Sequence, residues 1–120
     1  MSESAMHWTI LLKSHPEAQG NPVLQGLRLA AAALADGVEI SIFLSEQAMA
    51  LAFQEDSPTE KQHAHHDLLH EIHEMGARIH VVGMEWLHQS EQRLLNPCVE
   101  VASMKTLVRQ MKNSDQVITL

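Results

Sequence analysis

The chain is poor in the residues that usually advertise chemistry. It has one cysteine, Cys98, in 120 residues. A single thiol excludes an internal disulfide, zinc sites built from several cysteines, and an internal two-cysteine redox couple. Aromatic residues are scarce: Trp8, Phe43, Phe53 and Trp86, with no tyrosine. So few ring faces argue against a base-stacking platform. Basic residues are also in the minority, 8 against 15 acidic ones, for a net charge of −7 with histidine neutral. That sign is wrong for a protein that tracks nucleic-acid phosphates. No apolar run approaches the ~20 residues that cross a bilayer. The start, MSESAMHW, has neither the basic flank nor the apolar core of a secretion signal. A cytoplasmic protein with no nucleic-acid or membrane partner is therefore expected.

What is present describes a globular α/β chain. Apolar residues make up 45%, enough for a packed core, and the length suits one domain over residues 1–120. HWTILL (7–12) reads as a strand, followed by the breaker-rich SHPEAQGNP. Asn21-Pro22 predicts a helix start, with Asn21 as N-cap and Pro22 in the first position. Asp36-Gly37 closes that helix. VEISIFL (38–44) is a second strand, and Ser45 is placed to cap a short helix holding Met49, Leu51, Ala52 and Phe53. Residues 54–61 read as a loop, 62–75 as a helix ended by Gly76, and 77–83 as a third strand. VEVAS gives a fourth strand, Ser103 opens a helix, and QVITL (116–120) gives a fifth strand. Strands alternating with helices predict a mainly parallel five-stranded sheet covered on both faces, a three-layer α/β/α sandwich.

The segments TILLKSHP, LRLAAAALADGVEISIFLSEQAMALA, DLLHEIHEMGARIHVVG and VEVASMKTLVRQMKNSDQVITL, in this order and spacing, resemble the DsrE/DsrF-like sulfur-relay family, which includes TusD and TusC subunits and YchN-like proteins. The resemblance spans nearly the whole chain. It implies the same sandwich fold and association with like or related subunits, typically as a homotrimer or hexamer, and contact with sulfur-carrier proteins. Members that handle sulfur carry a cysteine shortly after the third strand, where a thiolate takes up and passes on a sulfur atom. Here the matching stretch is VVGMEWLHQ, residues 81–89, without cysteine. Glu85 falls near the sulfur-bearing position, and a carboxylate cannot hold sulfane sulfur. In this the chain resembles the family subunits, such as TusC, that serve as assembly partners. Cys98 precedes the fourth strand, at the sheet edge away from the strand-to-helix loops, and reads as a small buried packing residue.

Ligands of open α/β sheets bind beyond the carboxyl ends of the strands. The loops after the first and third strands bring Ser14, His15 and Glu17 towards Met84, Glu85, Trp86 and His88. His15 with Glu85 would make an acid–base pair, since a carboxylate orients an imidazole and stabilises its charged form; both also read as solvated loop residues. Trp86 reads as a packing or interface residue or as a ligand contact.

QHAHHDLLHEIHEM is the most unusual stretch of a chain with nine histidines. On a helix, Ala64, Leu68, Ile72 and Met75 share one face, and His63, His66, His70 and His73 form a stripe on the other. That stripe is expected to face water or another subunit. His66, His70 and Glu74 follow one another at four-residue spacing and are candidate ligands for zinc or another transition metal; an ordinary polar stripe is the alternative. No other cofactor is implied.

Two functions follow. One is a non-catalytic structural or regulatory subunit in intracellular sulfur relay. The other is a small-ligand- or metal-binding protein or enzyme using the edge near His15, Glu85 and His88. The missing family cysteine favours the first.

Overall fold

The computed structural model describes residues 5–54, 59–83 and 94–120. Five strands, β1 (His7–Leu12), β2 (Glu39–Leu44), β3 (Arg78–Val81), β4 (Val99–Val101) and β5 (Gln116–Thr119), form one sheet in the order β4-β3-β2-β1-β5. Every neighbouring pair is parallel. Parallel neighbours need crossovers: α1 (Pro22–Ala35) joins β1 to β2, α2 (Glu60–Glu74) joins β2 to β3, and α3 (Met104–Lys112) leads from β4 to β5.

Strand side chains alternate between the two faces. Ile10, Leu12, Ile42 and Leu44 pack with Leu27 and Ala30 of α1 and Leu69 and Ile72 of α2. Leu11 and Phe43 point the other way, to Leu107 and Met111 of α3. This is the expected sandwich, but its layers are unequal: Val101, Met104, Val108 and Val117, on α3 and its flanking strands, remain exposed.

The helix ends follow from local chemistry. Beyond α1, Val38 N–H bonds to Ala33 O and Gly37 N–H to Leu34 O. Beyond α2, Ala77 N–H bonds to Ile72 O and Gly76 N–H to His73 O. Both are Schellman closures, and the glycines take the positive φ that this turn needs (85° and 107°).

Two expected caps are corrected. Asn21 is left-handed (φ 51°, ψ 51°) and its side chain caps nothing. The chain turns there through an Asn21 N–H bond to Ala18 O, and asparagine tolerates that conformation. Ser45 spends its hydroxyl on Leu12 O, so the 3-10 turn Glu46–Ala52 begins without a side-chain cap. α2 starts two residues earlier than expected, because Thr59 and Gln62 form a capping box: each side chain accepts from the other's backbone N–H.

Candidate functional site

The carboxyl ends of the strands carry the segments that follow Leu12, Leu44, Val81 and Val101. The ladder runs on past them: Ser45 N–H bonds to Leu12 O, Val82 N–H to Leu44 O and Ala102 N–H to Val81 O. Glu46 has a positive φ of 51°, an uncommon conformation for a side-chain-bearing residue, and its carboxylate meets Lys13 at 3.3 Å.

A cavity of about 250 Å³ opens at this edge between the β1 loop, the 3-10 turn and the first turns of α2. His15, Pro16 and Glu17 form one wall, Ala50 and Leu51 a second, and Gln62, His65 and His66 a third. His15 Nδ1 accepts the Glu17 backbone N–H at 3.0 Å, which leaves the ring proton of neutral His15 on Nε2. Ser14 is half-buried beside it and is not among the lining residues. Met84, Glu85, Trp86 and His88 lie outside the described residues, and with them the expected His15–Glu85 pair.

The face that α2 buries differs from the one expected. His65, Leu69 and Ile72 are buried, whereas Ala64 and Met75 are exposed. The helix is turned so that the 65–69–72 row meets the sheet, which carries His65 into the interior. The spacing of His65 to Leu69 and Ile72 was a usable signal, and the greater number of the other histidines obscured it.

That rotation also brings part of the histidine stripe onto the chain itself. Asn96 Oδ1 accepts from Cys98 N–H, which fixes the amide so that Nδ2 donates to His66 Nδ1 at 3.1 Å. His70 lies between Cys98 Sγ and Glu74, 3.5 Å from each. His66 therefore lines the carboxyl-edge cavity, while His70 and Glu74 lie further along α2. Among the described residues, no group of three or more His, Cys, Asp or Glu side chains is placed to hold a metal ion.

Cys98 sits at the amino edge, directly before β4. It lines a second cavity of about 340 Å³ with His73, Arg78, His80 and Glu100. Burial, and then the negative charge of Glu74, push its thiol above the usual range, so it is a poor source of thiolate.

One further arrangement has the order of a hydrolase. His7 Nδ1 meets Glu39 Oε2 at 3.3 Å, and His7 Nε2 meets Ser41 Oγ at 3.2 Å. Ser41, however, is fully buried, and Gln110 Nε2 donates to the same His7 nitrogen at 2.6 Å. The cluster ties β1, β2 and α3 together and presents no nucleophile to a substrate.

Among the described residues no helix is long and apolar enough to cross a membrane. The sequence model of the DsrE/DsrF-like family matches residues 6–120. Protein MJ0989 of Methanocaldococcus jannaschii, itself uncharacterized, is 30% identical over 116 residues, covering 95% of this chain and 99% of its own length. The crystal structure of the ychN protein of E. coli has the same fold, with a TM-score of 0.77 at 16% identity over 96% of this chain and 99% of that one.

Proposed function

Because the chain belongs to the DsrE/DsrF-like family, we propose that it is a non-catalytic, cytoplasmic subunit of a sulfur relay, a structural or regulatory partner for like or related subunits that carry the reactive thiol. One observation carries this reading. The only thiol in the chain is buried at the amino edge, where burial raises its pKa, while the stretch VVGMEWLHQ at the end of β3 and beyond offers none. Sulfur transfer needs an accessible thiolate that attacks a donor persulfide and is attacked in turn. The exposed apolar side chains Val101, Met104 and Val108 support association with another subunit, as a homo-oligomer or a mixed assembly.

The test is to incubate the chain with a persulfide donor and weigh it, then mix it with thiol-bearing relay subunits and measure complex formation. A complex formed by a chain that gains no sulfur is the expected result. A sulfur atom held on Cys98 and passed to an acceptor thiol would overturn the reading.

A second reading, small-ligand binding at the carboxyl edge, is favoured by the cavity that His15 lines together with the buried His65.

A further inference from the structure

The outward faces of α2 and α3 carry rows of opposite charge at the same spacing. Asp67, Glu71 and Glu74 stand at positions i, i+4 and i+7 of α2, and Lys105, Arg109 and Lys112 at i, i+4 and i+7 of α3. All six are exposed. Each row runs about 10 Å along its helix, at 1.5 Å per residue. Among the described residues Glu74 meets His70, and the other five have no ion-pair partner. Like charges three and four residues apart destabilise a helix, so each row calls for the opposite charge from outside. Glu71 and Glu74 also sit in the last turn of α2, where the helix dipole favours cations. The α3 row lies in a stretch without acid, residues 101–114, in a chain of net charge −7.

The two rows lie on opposite faces of the sheet, since α2 packs with Ile42 and Leu44, and α3 with Leu11 and Phe43. One chain cannot bring them together, but two can. A symmetric contact would set like rows against each other; a head-to-tail contact sets α2 of one copy on α3 of the next. Both helices run against the strands, because α2 leads from β2 to β3 and α3 from β4 to β5 in a parallel sheet. Copies stacked with their strands aligned therefore bring α2 and α3 together parallel. In that orientation Asp67 faces Lys105, Glu71 faces Arg109 and Glu74 faces Lys112. The flank of α2 with Ala64, Leu68 and Met75 then meets the flank of α3 with Met104 and Val108, both exposed, as g meets e in a parallel coiled coil. An antiparallel contact would turn the apolar flank of α2 onto Thr106 and Asn113 instead.

From these matches we infer that the chain associates head to tail, the acidic face of α2 on one copy docking on the basic face of α3 on the next. Such a contact, repeated, closes a ring or extends a stack. The inference rests on the association that the relay reading assumes, and it names a second copy as the partner and these two helices as the surfaces.

Sedimentation velocity of the full chain, at up to about 0.2 mM, covers the micromolar affinities of small polar interfaces. The unaltered chain should self-associate in dilute buffer, and about tenfold more weakly when salt rises from about 20 mM to about 500 mM. Lys105→Glu with Arg109→Glu makes both rows mainly acidic, and Asp67→Lys with Glu71→Arg makes both mainly basic. Each double variant alone should associate at least about tenfold more weakly than the unaltered chain. An equimolar mixture of the two should associate again, because unlike rows then meet. Association that survives either exchange, or a mixture that fails to restore it, overturns the contact. If a variant does not fold, the salt response of the unaltered chain decides, and association that salt leaves unchanged overturns the contact too. A chain that stays monomeric also overturns it; whether that chain binds thiol-bearing relay subunits then decides the relay reading separately.

Discussion

Cys98 Sγ lies 3.5 Å from His70 Nδ1, yet this contact does not make a reactive thiol. Burial raises the pKa of Cys98, and Glu74, which also meets His70 at 3.5 Å, raises it further. Disulfide-exchange labelling at neutral pH should therefore run slower than for a free exposed thiol. Glu74→Gln should accelerate it about two- to threefold, a small factor because Glu74 is exposed and screened. Labelling as fast as that of an exposed thiol in the unaltered chain would contradict the burial argument.

His80 should make the fold sensitive to acid. Its ring stacks on Phe43 with centroids 4.8 Å apart. Burial holds its pKa below 6.5, with Glu100 pulling it up and Arg78 pushing it down. The unfolded chain takes up this proton first, so stability is lost as pH falls through 6.5 and below. Urea unfolding of the unaltered chain should show that loss between about pH 7.5 and pH 5.5. His80→Phe, which keeps a stacking ring, should flatten the profile. An unchanged slope would remove His80 as its source.

Gly26 packs α1 tightly against the side chains of Leu12 and Leu120. A Cβ added there would meet Leu12 Cδ2 at 2.7 Å and Leu120 Cδ1 at 3.0 Å. Helix propensity favours alanine by about 1 kcal/mol, whereas overpacking a tight contact costs about 1–3 kcal/mol. Gly26→Ala should therefore be neutral to destabilising, by up to about 2 kcal/mol, read as a lower urea midpoint. A clear rise in the midpoint would mean that the two leucines move aside freely.

Thr59→Ala removes half of the capping box at the start of α2. The expected loss is about 0.5–2 kcal/mol, measured by the same urea titration. Thr59→Ser keeps the hydroxyl and should recover most of it. If alanine and serine behave alike, the box contributes nothing.

The layered sheet was legible in the sequence because each strand is a short apolar phrase closed by a turn signal. Gly37 and Gly76 mark helix ends at the positions where they close α1 and α2. The rotation of α2 was harder to read. Ala64, Leu68, Ile72 and Met75 form a plausible apolar face, but Leu69 and Ile72 join the core and His65 is buried in the same row. Periodicity alone does not rank a buried imidazole above an alanine. His15 was legible as a residue of the carboxyl edge, but its cavity partners Gln62 and His65 were not. Their placement depends on where α2 begins, and Thr59-x-x-Gln62, which fixes that, falls in a stretch that also reads as loop.

The pairing of β1 with β5 reaches beyond the finished fold. β1 gains this neighbour only after β2, β3 and β4 have been made. Until then Trp8 to Leu11 present an open row of peptide groups to any passing strand. Contacts so distant along the chain slow folding and prolong that exposure, so a nascent chain halted before residue 116 should need chaperone protection that a chain carrying β5 does not.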